Sequence, residues 1–115
     1  NFFSSEGIVS RLQFLNHAVV VQEVDLILMR YEHYYTLEMS GYVRLNLYMH
    51  IAFMFERLMI AQDDYEEEQR ELSEQEQEFY RISRIVFAEA EKKYRIRLEE
   101  YELSMLYELF KRLIK

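Results

Sequence analysis

The chain contains three histidines and no cysteine. Disulfides, thiolate metal sites and thiol nucleophiles are therefore excluded, and nothing points to an oxidising compartment. A histidine ring can ligate a metal, move a proton or carry a modification, and its neighbours decide which. His17, His33 and His50 are never three or four residues apart, and no Glu-x-x-His pair of the di-iron type occurs. A His-Glu-x-x-His helix, a phosphate-binding loop and a glycine-rich dinucleotide turn are absent as well. The reading is no metal, no cofactor and no catalytic residue. Paired carboxylates do not change it, because the acids cluster in polar sequence rather than on apolar faces that would shift their pKa values.

His17 follows Asn16 at an expected helix start, where a polar residue needs no special role. His33 lies in Tyr31-Glu32-His33-Tyr34-Tyr35, off the apolar stripe, and reads as a surface or edge group. His50 differs in its company. In Leu45-Asn46-Leu47-Tyr48-Met49-His50-Ile51-Ala52-Phe53-Met54-Phe55-Glu56-Arg57-Leu58 a helical period places Asn46, His50, Phe53, Met54 and Arg57 on overlapping faces. Two turns, about 10 Å along the axis, separate His50 from Arg57. Such an imidazole is either a hydrogen-bonded core group or one meant to carry an anion. A phosphorylated ring would bring two negative charges, and arginine offers the planar fork that pairs with them. Spacing alone favours the core group.

The elements that position these residues follow from composition. With no proline and two glycines in 115 residues, and abundant Glu, Leu, Arg and Met, helix is favoured nearly everywhere. Half the residues are hydrophobic and 16% aromatic, too apolar for disorder. An all-α, compact bundle of about five helices is expected, as one domain over residues 1–115. The periodicity predicts helices over Ser5–Leu15, His17–Met39, Tyr42–Gln62, Ser73–Tyr94 and Glu99–Ile114. The second carries the stripe Val20, Val24, Ile27, Tyr31, Tyr35, widened by Leu28 and Tyr34, and Ser40-Gly41 marks its end through a left-handed residue. Ser73-x-x-Glu76 is a capping-box pattern, and Phe79, Ile82, Val86 and Ala90 point inward from that helix. Arg95-Ile96-Arg97-Leu98 alternates and reads as a connection. Met105, Leu106, Leu109 and Leu113 line one face of the last helix.

Charge narrows the partners. The net charge is −7, and Asp63 to Glu78 holds nine acids against Arg70. The remaining 12 acids and 13 bases nearly cancel, so no basic stripe suits nucleic acid. The acidic run reads as a solvated connection between helices. The longest apolar runs, such as Ala18–Val21 and Ile51–Phe55, fall far short of the roughly 20 residues of a membrane span. A cytoplasmic protein without membrane contact is expected, and the start at Asn1 reads as that of a piece of something longer.

LNLYMHIAFMFERL, residues 45–58, resembles the phosphoacceptor helix of PTS-regulation domains, modules through which the bacterial phosphotransferase sugar-uptake system controls transcription factors. That helix carries His with Arg seven residues later. The LQFLN of Leu12–Asn16, and Tyr94-Arg95-Ile96-Arg97-Leu98 leading to Glu102 and Leu106-Tyr107-Glu108-Leu109, resemble the C-terminal domain of LevR-type sigma-54-dependent activators. The resemblance spans nearly the whole chain. It implies a five-helix bundle that receives a phosphoryl group on His50 from HPr or an enzyme IIB component, with Arg57 supporting the phosphate. In LevR-like activators that domain is phosphorylated when sugar is absent, which lowers activity, and transport relieves the inhibition. Many members have a second histidine seven residues after the glutamate matched by Glu102, and prolines near the first and last helices; here Leu109 stands in the first place and the prolines are missing. The alternative function is a constitutive helical module for homodimerisation that has lost phosphate control. An exposed His50 separates the first reading from a sealed, locally hydrogen-bonded His50, which would favour the second.

Overall fold

The computed structural model describes residues 16–60 and 70–114. Within them the chain is all-α, with four helices: α1 (His17–Tyr34), α2 (Gly41–Ile60), α3 (Glu74–Tyr94) and α4 (Glu100–Phe110). The expected first helix, Ser5–Leu15, lies outside the described residues, as do residues 63–69 of the acidic run. Helix α3 is central and packs on α1 and α4, while α1 also packs on α2.

Local chemistry accounts for most of the boundaries. Asn16 caps α1, its Oδ1 accepting from the Ala18 amide at 2.9 Å. At the start of α2, Ser40 Oγ accepts from the Val43 amide at 3.2 Å. Ser73 opens α3 with the full capping box: its side chain accepts from the Glu76 amide, and Glu76 Oε1 accepts from the Ser73 amide. Arg95 ends α3 in the left-handed region at φ 54°. Its amide donates to the Glu91 carbonyl, and the Ile96 amide reaches the same oxygen at 3.1 Å.

Two expected boundaries need correction. Helix α1 stops at Tyr34 rather than Met39, because residues 35–39 run extended and bury alternate side chains against the core: Tyr35, Leu37 and Met39. The Glu38 amide donates to the Leu113 carbonyl at 3.0 Å, and Leu37 forms an antiparallel bridge with Ile114. Gly41 is therefore no left-handed cap of α1 but the first residue of α2, and no described glycine has a positive φ. The same pairing takes Leu113 and Ile114 out of α4, which ends at Phe110. The connection at Arg95–Leu98 stands as expected, with Ile96 and Leu98 buried between exposed arginines.

An aromatic core holds the helices together. The Tyr31 ring centroid is 5.5 Å from Phe79 and 4.5 Å from Phe110, so side chains of α1, α3 and α4 meet at one point. Phe55 of α2 joins through Phe87 at 5.8 Å and Tyr94 at 6.2 Å. Each aromatic pair contributes about 0.5–1.5 kcal/mol beyond the area it buries. Of the residues assigned to inward faces, Phe79, Ile82, Val86 and Ala90 are buried, whereas Tyr34 and Met105 are exposed.

Candidate functional site

His50 lies in the middle of α2, on a side of the helix that faces solvent. The core side of α2 is formed by Leu47, Ile51, Met54, Phe55, Leu58 and Met59. His50 sits about 100° away from Ile51 and beyond Met54, so the core does not enclose it. Phe53, one turn on, does not close over it either, being 58% exposed itself. Among the described residues none forms a hydrogen bond or ion pair with His50. His50 is exposed, as are Asn46 and Met49 beside it.

Arg57 shares this flank of α2 two turns further on, and its guanidinium is engaged elsewhere. Nη2 donates to Oε2 of Glu102 on α4 at 2.6 Å. The Glu102 side chain is 2% exposed, whereas that of Arg57 is 40% exposed. A buried carboxylate is costly unless a cation compensates it, so this pair fixes α4 against α2. It is incomplete: Arg57 Nε and Glu102 Oε1 are both buried without a hydrogen-bond partner. The structure thus joins Arg57 to Glu102 and not to His50. A contact across 45 residues has no local signature; the only signal available was a lone glutamate on the inward side of an apolar helix, one residue before Leu103.

The remaining sequence candidates fall in ordinary places. His33 is exposed and packs edge-on against Tyr34 at 5.1 Å. His17 opens α1. Leu109, at the position of a second histidine in the resembling domains, is half-buried against the core. Arg70, the one base of the acidic run, pairs with Glu76 at 2.6 Å. This holds the Glu76 carboxyl below its ordinary range; the Arg70 hydrogen bond is the largest cause and outweighs desolvation.

Neither a metal nor a buried small-molecule site emerges around His50. No group of three His, Asp or Glu among the described residues is placed to hold a metal ion. A cleft of about 420 Å³ is lined by Tyr34, Tyr35, Glu78, Tyr107 and Lys111, and neither His50 nor Arg57 borders it. An imidazole on a convex helix surface is reachable by another macromolecule. No described helix is long and apolar enough to cross a membrane.

The family model described as PRD domain matches residues 25–113, which takes in α1 from its third turn and all of α2, α3 and α4. No curated protein and no solved structure matches the chain. The chain belongs to the PRD family, whose members are regulatory domains, generally non-catalytic, of bacterial transcriptional regulators and antiterminators, and are phosphorylated by phosphotransferase-system proteins.

Proposed function

We propose that this PRD domain receives a phosphoryl group on His50 from HPr or an enzyme IIB component and thereby tunes a bacterial transcriptional regulator to sugar availability. The observation that carries the reading is the exposed, unengaged imidazole of His50 on α2, with a guanidinium on the same flank. In the transfer, the lone pair of a ring nitrogen attacks phosphorus. The nitrogen–phosphorus bond forms as the bond from phosphorus to the donor's side chain breaks, the donor keeping that electron pair. The second ring nitrogen retains its proton. Arg57 supports the new charge. The donor catalyses and this domain receives.

Further parts of the reading rest on the sequence patterns alone. LQFLN and the Tyr94–Leu109 stretch support placement at the C-terminal end of a LevR-type sigma-54-dependent activator, one domain of a longer cytoplasmic protein that contacts no nucleic acid through this module. Incubation with enzyme I, HPr and the cognate enzyme IIB is expected to give an acid-labile phosphate, detected by mass, that His50→Ala abolishes. A wild-type domain left unmodified by the complete set of donors would overturn the reading.

Homodimerisation belongs to both functional readings, and one observation favours it. Tyr42, Leu45, Met49, Phe53 and Ile60 form an exposed apolar stripe along the outer side of α2. The constitutive dimerisation module is the second reading; a dimer whose regulator responds identically with and without His50 would favour it.

A further inference from the structure

We infer that Arg57 and Glu102 form a latch between α2 and α4 that a phosphoryl group on His50 opens, with Glu102 as the competing anion that occupies Arg57 until then. The inference rests on the reading of His50 as phosphoacceptor.

Three observations carry it. Arg57 spends a single donor on Glu102, at 2.6 Å. A guanidinium has five N–H donors, so most of the fork is uncommitted. The pair is also only half satisfied, with Nε of one partner and Oε1 of the other buried and unbonded. Each unbonded buried atom costs free energy, so the latch is held less tightly than a fully bidentate pair. Finally, the Arg57 side chain is part-exposed while that of Glu102 is sealed, so the guanidinium can swing and the carboxylate cannot follow it.

Helical side chains lean toward the N-terminus of their helix, which carries Arg57 toward His50. The two residues are about 10 Å apart along the axis, a gap that a long arginine stem and a phosphoimidazole share between them. A phosphoryl group offers about two negative charges and three acceptor oxygens against the single charge of a carboxylate. Once Arg57 turns to it, Glu102 is left as a buried charge without compensation, an arrangement strongly disfavoured. The carboxylate must move toward water, and that movement loosens α4 from α2. Beyond Phe110, α4 leads directly into Leu113 and Ile114, which hold Glu38 and Leu37 between α1 and α2. Displacement of α4 is thereby passed to the opposite end of α2.

The test follows amide hydrogen exchange along residues 100–110 and the Arg57 Nε–H resonance, before and after treatment with enzyme I, HPr and the cognate enzyme IIB. Phosphorylation of the wild-type domain is expected to shift the resonance and to speed exchange in α4 by about tenfold, the equivalent of one charge-assisted hydrogen bond. Glu102→Gln is expected to take up phosphate on His50 but to show the fast exchange from the outset. If that variant does not fold, the wild-type resonance decides. Phosphate on His50 with the resonance and the α4 exchange both unchanged overturns the latch and leaves the proposed function standing. Absence of phosphate on His50 overturns the proposed function, and the latch with it.

Discussion

Tyr31 concentrates several of the forces that hold this fold. Its ring meets Phe79, Phe87 and Phe110, and its hydroxyl shares a 2.6 Å hydrogen bond with Ser83, both groups fully buried. Burial pushes the phenol well above its ordinary pKa, the Ser83 bond only partly offsetting this. Ser83→Ala leaves the Tyr31 hydroxyl orphaned and is expected to cost about 1–3 kcal/mol, read from the urea midpoint. Tyr31→Phe orphans Ser83 in turn. The double variant should lose clearly less than the two single losses combined, since it removes both partners; strict additivity would show that the hydroxyls are not coupled. Tyr35 titrates differently, its pKa raised to about 12 first by desolvation and then by Glu78. A phenol with a raised folded pKa retains more protons than its unfolded form between about pH 10 and 12. Its stabilisation is therefore complete below pH 10 and is lost as pH climbs to 12. Tyr35→Phe should flatten that part of the alkaline unfolding profile. Tyr31 was visible in the sequence as part of an apolar stripe; Ser83 was not, because a serine 52 residues away carries no mark of its partner.

At the level of elements, local patterns succeeded at the start of α3 and failed at Gly41, which opens α2 instead of capping α1. The capping box at Ser73 needs only residues three apart, and it starts α3 where the pattern placed it. Ser73→Ala should cost about 1 kcal/mol of thermal stability. Glu76 adds a pH signature. Its lowered pKa means that the unfolded chain binds the proton more readily, so its stabilisation is present above the ordinary carboxylate pKa and is lost as pH falls through the depressed value. The stability difference between wild type and Glu76→Gln should be largest near pH 7 and shrink steadily in melts below pH 4.5; a constant difference would dissociate Glu76 from the Arg70 pair. The misread end of α1 has a physical origin. Tyr35 and Met39 continue the helical apolar stripe of Tyr31 closely enough to extend it, yet Leu37, which falls off that stripe, makes the three alternate with Thr36 and Glu38. Tyr35 and Met39 suit either period, and it is the pairing with Leu113 and Ile114, more than 70 positions away, that selects the extended form. Arg57 and Glu102 pose the same problem in side chains: the helix of each was legible, their meeting was not.

For the whole molecule, the decisive feature is that α2 is apolar on both sides. One side builds the core with Leu47, Ile51, Phe55 and Leu58; the other exposes Tyr42 at 81%, Ile60 at 71%, and Leu45, Met49 and Phe53 between them. An outer side with five exposed large apolar residues, interrupted by Asn46 and Glu56, is unusual for a surface helix, which carries polar residues outward as α3 does. Composition registered the excess hydrophobicity but could not say which side of which helix held it. Self-association through this stripe buries the same residues on both partners, as a two-fold interface requires, and stable pairs bury roughly 800 Å² on each side. The wild-type chain is therefore expected to sediment at twice its 14.2 kDa mass at micromolar concentrations. Leu45→Glu combined with Phe53→Glu places charge at the centre of the stripe without touching the core, and should give a monomer with unchanged helical content by circular dichroism. A wild-type chain that sediments as a monomer would leave the stripe to another partner. Because His50 borders the stripe, the pair can also be tested through its chemistry. A doubly charged group at the rim of an apolar interface opposes association, so phosphorylated wild type should dissociate at higher concentration than the unmodified chain, while His50→Ala, treated identically, should not shift.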